Sequence, residues 1–341
     1  MKQAETKQIA LMQLKAIGDT LMCEPSIAAI RKAFPQAEIT FITSNVAYEI
    51  LRYHPGINRF IIWRKKTPLL PYLRFLYELR KPQYDVLIDF HKNPRSHLFS
   101  RVIRAETKIS FRSPRRNIGY DILLPEYDLD TYVPIEKLRL ASHILPKPAE
   151  LTIPKVYYTK AHQQAADAIF AKQGLLGSEI VMIVSPVSKV TKRLWKPPHF
   201  ARLCDFILTN YPVKILFTWG PGEKSIVEEV KRLMHKPSPE IDYHIDSLHT
   251  LAALYEKADL WVGNDSGPRH LAIGAGLPTF TPFGHFWHRH WTPPNSDIHV
   301  AVEPDNRDPK LVGDRIDTLP YEKVESACKI WLDNMLTRIS K

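Results

Sequence analysis

Short apolar runs, each followed by a polar turn and then by helical periodicity, recur along the whole chain. Ile9 to Leu14 is the first run, Lys15-Ala16-Ile17-Gly18-Asp19 the turn, and Thr20 opens a helical pattern through Leu21, Ile27, Ala28 and Ile30. Pro25 lies early in that pattern, where it can kink the helix. Glu38 to Thr43, Phe60 to Trp63 and Val86 to Phe90 read as further strands with helical stretches between them. From about Tyr127 to Tyr158 the prolines at 125, 134, 146, 148 and 154 interrupt the pattern, and no long periodic segment survives. It restarts with a helix over Ala161 to Lys172 and the continuous run Ile180 to Val184, typical of a central parallel strand. Val213 to Thr218, Tyr243 to Ile245, Leu260 to Val262 and Pro278 to Thr281 continue the series. The alternation predicts an α/β chain of two domains, residues 1–157 and 158–341.

Length agrees: 341 residues with 44% hydrophobic content exceed what one core normally encloses. Cys23, Cys204 and Cys328 are odd in number and far apart, which argues against a disulfide framework and for a reducing cytoplasm. The first ten residues hold no apolar core of signal-peptide length, and no run reaches the roughly 18–20 apolar residues that span a bilayer. A soluble or peripheral protein is expected.

Charge changes the picture more than composition does. The formal net charge is +11, with 24 Lys and Arg against 15 Asp and Glu in residues 1–150 and 23 against 21 in the rest. A basic N-terminal half favours nucleic acid, an anionic membrane or a phosphorylated substrate, and charge alone does not choose among them. Within it, Arg64 to Lys81 combines a broad apolar face (Leu70, Leu73, Phe75, Leu76, Tyr77, Leu79) with Arg64, Lys65, Lys66, Arg74, Arg80 and Lys81. That composition fits either a membrane-surface helix or a core helix with a basic rim. Arg95, Arg101, Arg104, Arg112, Arg115 and Arg116 extend the basic character with side chains suited to bidentate phosphate contacts.

Chemistry concentrates at the ends of predicted strands, where open α/β sheets place their ligands. Asp19 follows the first strand, and a carboxylate there can serve as general base toward a hydroxyl or as a helix cap. No G-x-G-x-x-G follows that strand, so a nicotinamide dehydrogenase is unexpected. Lys189, Lys192, Arg193 and Lys196 cluster after the Ile180 to Val184 strand. Glu223 follows Trp219-Gly220-Pro221-Gly222 and reads as a helix-starting acid or a ribose-binding carboxylate. The richest stretch is Ala258 to Gly284, where the strand Leu260 to Val262 ends in Gly263-Asn264-Asp265-Ser266-Gly267 and Pro268 opens a small apolar helix. Free N–H groups at that helix start suit a diphosphate, with Ser266 adding a hydroxyl and Gly267 permitting close approach. Asp265 fits an acceptor of sugar hydroxyls or a brace for the turn, and His270 points back toward the same place.

Together Ile17-Gly18-Asp19, the following Glu24-Pro25-Ser26, the WGPGE around 220, NDSGPRH at 264–270 and LPTFTPFG at 277–284 resemble glycosyltransferase family 9, the ADP-heptose:lipopolysaccharide heptosyltransferases. Asp89 to Ser96, DFHKNPRS, looks like the same family. The resemblance covers most of the chain and implies a GT-B fold: two Rossmann-like domains facing a cleft, the N-terminal one for acceptor and the C-terminal one for a nucleotide-sugar. It implies inverting transfer of a sugar, heptose by family likeness, to a lipopolysaccharide core or related anionic glycolipid, with no obligatory metal or cofactor. In its terms Asp19 matches the base, Asp265, Ser266, Gly267 and His270 the donor motif, and Glu223 the ribose carboxylate. Arg193, with Lys192 beside it, stands where the family usually has Lys. The acceptor is expected against Arg64, Lys65, Lys66, Arg95, Arg115 and Arg116, at the inner face of the cytoplasmic membrane. One departure is HFWHRHWTPP after Gly284, whose His285, His288 and His290 are expected to meet hydroxyls beside a sugar-stacking Trp287, with no acidic partner near in sequence for a metal. A GT-B enzyme of another reaction, such as a nucleotide-sugar epimerase, and a non-catalytic nucleic-acid binder are the competing readings.

Overall fold

Each apolar run becomes a parallel strand, most of them buried on both faces, in a computed structural model that describes residues 7–114, 117–125, 128, 130–177, 180–236, 242–284, 288–305 and 316–339. The chain divides into two units, Met1–Tyr157 and Tyr158–Lys341. The first unit carries β1 (Gln8–Met12), β2 (Glu38–Ser44), β3 (Arg59–Trp63), β4 (Gln83–Asp89), β5 (Arg104–Phe111) and β6 (Ile122–Leu124). They form one parallel sheet in the order β3-β2-β1-β4-β5-β6. Its helices are α1 (Ile17–Leu21), α2 (Glu24–Ala33), α3 (Asn45–Leu51), α4 (Leu69–Arg80), α5 (Pro94–Val102) and α6 (Val133–Ser142).

The second unit repeats the plan. Its helices are α7 (Lys160–Lys172), α8 (Pro197–Asn210), α9 (Lys224–Leu233), α10 (Leu248–Tyr255), α11 (Gly267–Gly274), α12 (His288–Trp291) and α13 (Tyr321–Ile339). Its strands, β7 (Ile180–Ser185), β8 (Val213–Trp219), β9 (Asp242–His244), β10 (Leu260–Gly263), β11 (Thr279–Pro282) and β12 (His299–Val302), run in the order β12-β11-β10-β7-β8-β9. Read from either end, both sheets follow the Rossmann order, with reversals of connection between β1 and β4 and between β7 and β10. Those reversals open crevices beyond the carboxyl ends of these strands, which is where ligands of such sheets bind. Separate cores sit on each sheet, one around Met12, Ile42, Leu79 and Phe99, the other around Trp195, Phe217, Phe280 and Trp331. All three cysteines are buried and free.

Three local expectations need correction. The helix after β1 does not start at Thr20: α1 begins at Ile17 and ends within five residues, and α2 starts afresh at Glu24. Pro25 therefore lies in the first turn of α2, where its missing N–H costs nothing, and kinks no helix. The stretch after Tyr127 does hold a helix, α6, with Pro134 in the same N-terminal position.

Candidate active site

In the second unit, the loops after β7 and β10 meet at the sheet's reversal. Asn264, fully buried, accepts the Trp195 N–H at 3.0 Å and donates to the Pro186 carbonyl at 2.9 Å, so one side chain holds both ends of the loop after β7. That loop turns through a short 3₁₀ segment, Thr191–Arg193, which presents Lys192 exposed and Arg193 half-buried. Arg193 Nη1 donates to Asp265 Oδ2 at 3.1 Å, and Asp265 is only 5% exposed. Asp265 is thus chiefly the partner of a cation. The repulsion a carboxylate would exert on a diphosphate is offset by the guanidinium beside it.

Gly263 explains how the two loops come so close. A Cβ there would lie 2.4 Å from the Ser185 carbonyl oxygen and 2.7 Å from the Trp261 ring, so only glycine ends β10 against β7 without displacement. Ser266 then caps α11, yet its buried Oγ has no hydrogen-bond partner among the described residues. Ser185 Oγ and His270 Nδ1 are buried and unpartnered in the same way. A Cβ on Gly267 would meet nothing within 4 Å, so open space lies over the first turn of α11. Ser266 Oγ and His270 Nδ1 thus lie at the N-terminal end of α11, close to the Arg193–Asp265 pair, where a helix start suits an anion. Burial lowers the His270 pKa to about 4, and Arg269 and Arg193 add to this against the opposing pull of Asp265. The imidazole is neutral near pH 7 and acts through hydrogen bonds alone.

Glu223 is the N-cap of α9, and its Oε2 accepts the Gly220 N–H at 2.8 Å, so the carboxylate braces the turn after β8. Arg269 is fully buried and donates to Thr281 Oγ1, the Trp291 carbonyl and Thr292 Oγ1 at 2.7–3.0 Å, tying α11 to the segment around α12. In that segment His288 Nδ1 lies 2.6 Å from Glu303 Oε2, an acid 15 positions away in sequence that the fold brings to the histidine. His290 is buried edge-on against Trp291 and is taken up by packing. His285 and Trp287 lie outside the described residues. Among the described residues no group of three His, Cys, Asp or Glu side chains is arranged to hold a metal.

In the first unit, Asp19 is the third residue of α1, and its Oδ2 accepts the Ala16 N–H at 3.3 Å. It stands in the first turn of α1, after the loop of residues 13–16 that follows β1, and its carboxylate satisfies a donor at the helix start. A mostly buried hydrogen-bond network that sequence reasoning missed joins the loop before α1 to α6 and to the end of β4. Lys137 Nζ, 1% exposed, donates to Gln13 Oε1 at 2.8 Å, and Gln13 Nε2 reaches the Lys15 carbonyl at 2.5 Å and His91 Nδ1 at 2.8 Å. Burial, with the charges of Lys137 and Lys15, lowers the His91 pKa to about 3. Arg95 stacks over the Trp63 ring at 4.3 Å, which brings it to the end of β3, next to Arg64, Lys65 and Lys66. Arg115 and Arg116 lie outside the described residues. Other parts of the motifs have local work: Asn93 caps α5 through the N–H groups of Arg95 and Ser96, and Asp89 accepts the His91 N–H and the Tyr120 hydroxyl. Glu24 accepts from the Lys155 N–H and the Tyr157 hydroxyl.

Two Rossmann-like units, one with an anion-suited helix start and the other with a carboxylate and a basic corner, define a GT-B protein. The model of glycosyltransferase family 9 (heptosyltransferase) matches residues 72–316, and the chain belongs to that family. It is 26% identical over 338 residues to the lipopolysaccharide core heptosyltransferase OpsX of Haemophilus influenzae, covering 98% of this chain and 93% of the relative. Its fold matches the family 9 glycosyl transferase of Veillonella parvula at a TM-score of 0.79, with 19% identity and coverage of 96% and 97%. The match to the Escherichia coli ADP-heptose lps heptosyltransferase II has a TM-score of 0.73, with 16% identity and coverage of 98% and 100%. The chain is therefore a glycosyltransferase, and the nucleic-acid-binding reading lapses.

Proposed function

We propose that the protein transfers heptose, with inversion, from ADP-heptose to the lipopolysaccharide core or a related anionic glycolipid at the inner face of the cytoplasmic membrane. The observation that carries the donor half is the start of α11, where Ser266 Oγ and His270 Nδ1 are buried without partners beside the Arg193–Asp265 pair. The diphosphate lies on the N–H groups at Ser266 and Gly267, with Arg193 and Lys192 against its charge. Glu223, at the mouth of β8, faces the ribose. The acceptor is held by Arg64, Lys65, Lys66 and Arg95.

Transfer then needs one base and one stabilised leaving group. Asp19 takes the proton of the acceptor hydroxyl as its oxygen bonds to the anomeric carbon, and the bond from that carbon to the diphosphate breaks on the opposite face. The electron pair leaves with the diphosphate, whose developing charge is met by Arg193, Lys192 and the helix N-terminus. No step calls for a metal.

Asp19→Asn tests this reading. Turnover with ADP-heptose should fall about 10²–10⁴-fold, as loss of a general base does, while ADP still raises the midpoint of thermal unfolding as in the wild type. Near-normal turnover in the variant removes Asp19 as the base, and absence of stabilisation by ADP in the wild type removes the donor.

A further inference from the structure

We propose that the outward face of α4 is a docking surface for anionic lipid, the bilayer's headgroup and upper acyl region being its partner. The helix has two apolar stripes. Phe75 and Leu79 are buried, with Tyr72 and Leu76 partly buried against the first unit's core, at the spacing of one inward face. Leu70, Leu73 and Tyr77 form a second stripe at three- and four-residue spacing, and with Leu69 they are 50–79% exposed. Among the described residues, four of the twelve exposed large hydrophobic side chains fall within these nine positions, a concentration that packing within the unit does not use.

The charges around the stripe say what covers it. Arg64, Lys65 and Lys66 are exposed just before the helix, and Arg74, Arg80 and Lys81 are exposed on it or at its end. The segment's one carboxylate, Glu78, is paired to Arg74 at 3.4 Å. Leucines that enter an acyl layer, a tyrosine at headgroup depth and a cationic rim make the chemistry of an interfacial helix on an anionic leaflet. Nucleic acid has no use for the leucines. A protein partner matched to the apolar stripe has no use for six cations beside it. The inference rests on the proposed lipid-linked acceptor, for which a surface holding the first unit on the membrane supplies the substrate in two dimensions.

Sedimentation with vesicles tests it on the full chain, comparing phosphatidylcholine alone with mixtures about one quarter phosphatidylglycerol, at low and high salt. The wild type should bind the anionic vesicles, ignore the neutral ones and bind more weakly in salt. Leu70→Ser with Leu73→Ser should lower binding about tenfold or more at either salt, because both side chains leave the acyl layer. Arg74→Glu, Arg80→Glu and Lys81→Glu combined should remove the salt-dependent part. These side chains are exposed, and unchanged thermal midpoints will show that both variants fold. Equal binding by the wild type and the leucine variant overturns the proposal, as does a wild-type dimer that the leucine variant dissolves. Heptose transfer to a soluble, deacylated acceptor is measured alongside and should be unchanged in the leucine variant. Vesicle binding without transfer would sink the proposed reaction and leave this surface standing, whereas transfer without vesicle binding would do the reverse.

Discussion

At the scale of single residues, the Arg193–Asp265 pair shows how a carboxylate can sit at the proposed diphosphate site. Asp265 is nearly buried, so removing Arg193 takes a cation at 3.1 Å from a carboxylate beside the proposed donor site. Arg193→Ala should therefore lower kcat/KM by about 10²–10³, more than the loss of one cation alone would cause. Adding Asp265→Asn should recover part of that loss, because the carboxylate's repulsion of a diphosphate is gone. A double-mutant cycle on ADP affinity measured by calorimetry checks this, with a coupling of roughly 0.5–3 kcal/mol expected. Strictly additive losses would mean that the two side chains act separately. The pair was not legible in the sequence, where its members stand 72 positions apart and each reads as a ligand in its own right. The same holds for Asn264, whose work is to tie down the loop after the neighbouring strand β7, and for Lys137, whose burial only the tertiary fold creates.

At the scale of elements, the strands were legible because a parallel strand buried on both faces must be a continuous apolar run, as Ile180 to Val184 is. Short helices were not. The five residues of α1 are too few to display a period, and α6 was hidden by a proline that reads as a breaker until it is seen in the first turn. For α4 the pattern announced a helix but gave one broad apolar face, since periodicity counts apolar positions without saying which of them the core uses. The junction of β7 and β10 carries the sharpest prediction at this scale. Gly263→Ala forces a Cβ against the backbone oxygen of Ser185, which cannot swing away as a side chain tip can. The strands must part, at a cost on the order of 1–3 kcal/mol from overpacking. Chemical denaturation should report that loss together with weaker ADP binding, since the loops carrying Arg193 and Ser266 start at these two strand ends. A variant with full stability would show that the strand ends yield more easily than the packing implies.

For the whole molecule, three imidazoles contribute to the response to acid, His91 half-buried and His270 and His299 buried. Burial is the main cause in each case: it takes the His91 and His299 pKa values to about 3 and that of His270 to about 4, with nearby cations adding to it. In the unfolded chain each titrates near 6.5. Between those limits the unfolded chain binds more protons than the folded one, so stability rises with pH there. It is fully present above about pH 6.5 and is lost as the solution is acidified toward the folded values. Asp89 and Glu136 work in the opposite sense, since burial raises their pKa values and the folded state holds those protons more tightly, while the lowered pKa of His199 acts in the same sense as the three imidazoles. Urea unfolding followed from about pH 7 to about pH 4.5 should therefore show a plateau and then a fall, with a limiting slope of about 4 kcal/mol per pH unit for three protons. His299, hydrogen-bonded to Thr279 Oγ1 and remote from the donor residues in sequence, offers the clean control. His299→Asn should reduce the slope by about 1.4 kcal/mol per pH unit, the contribution of one proton. A flat profile through pH 5 in the wild type would mean that these rings are protonated in the folded protein as readily as in the unfolded chain, and that the neutral His270 assigned to the donor site is instead a cation.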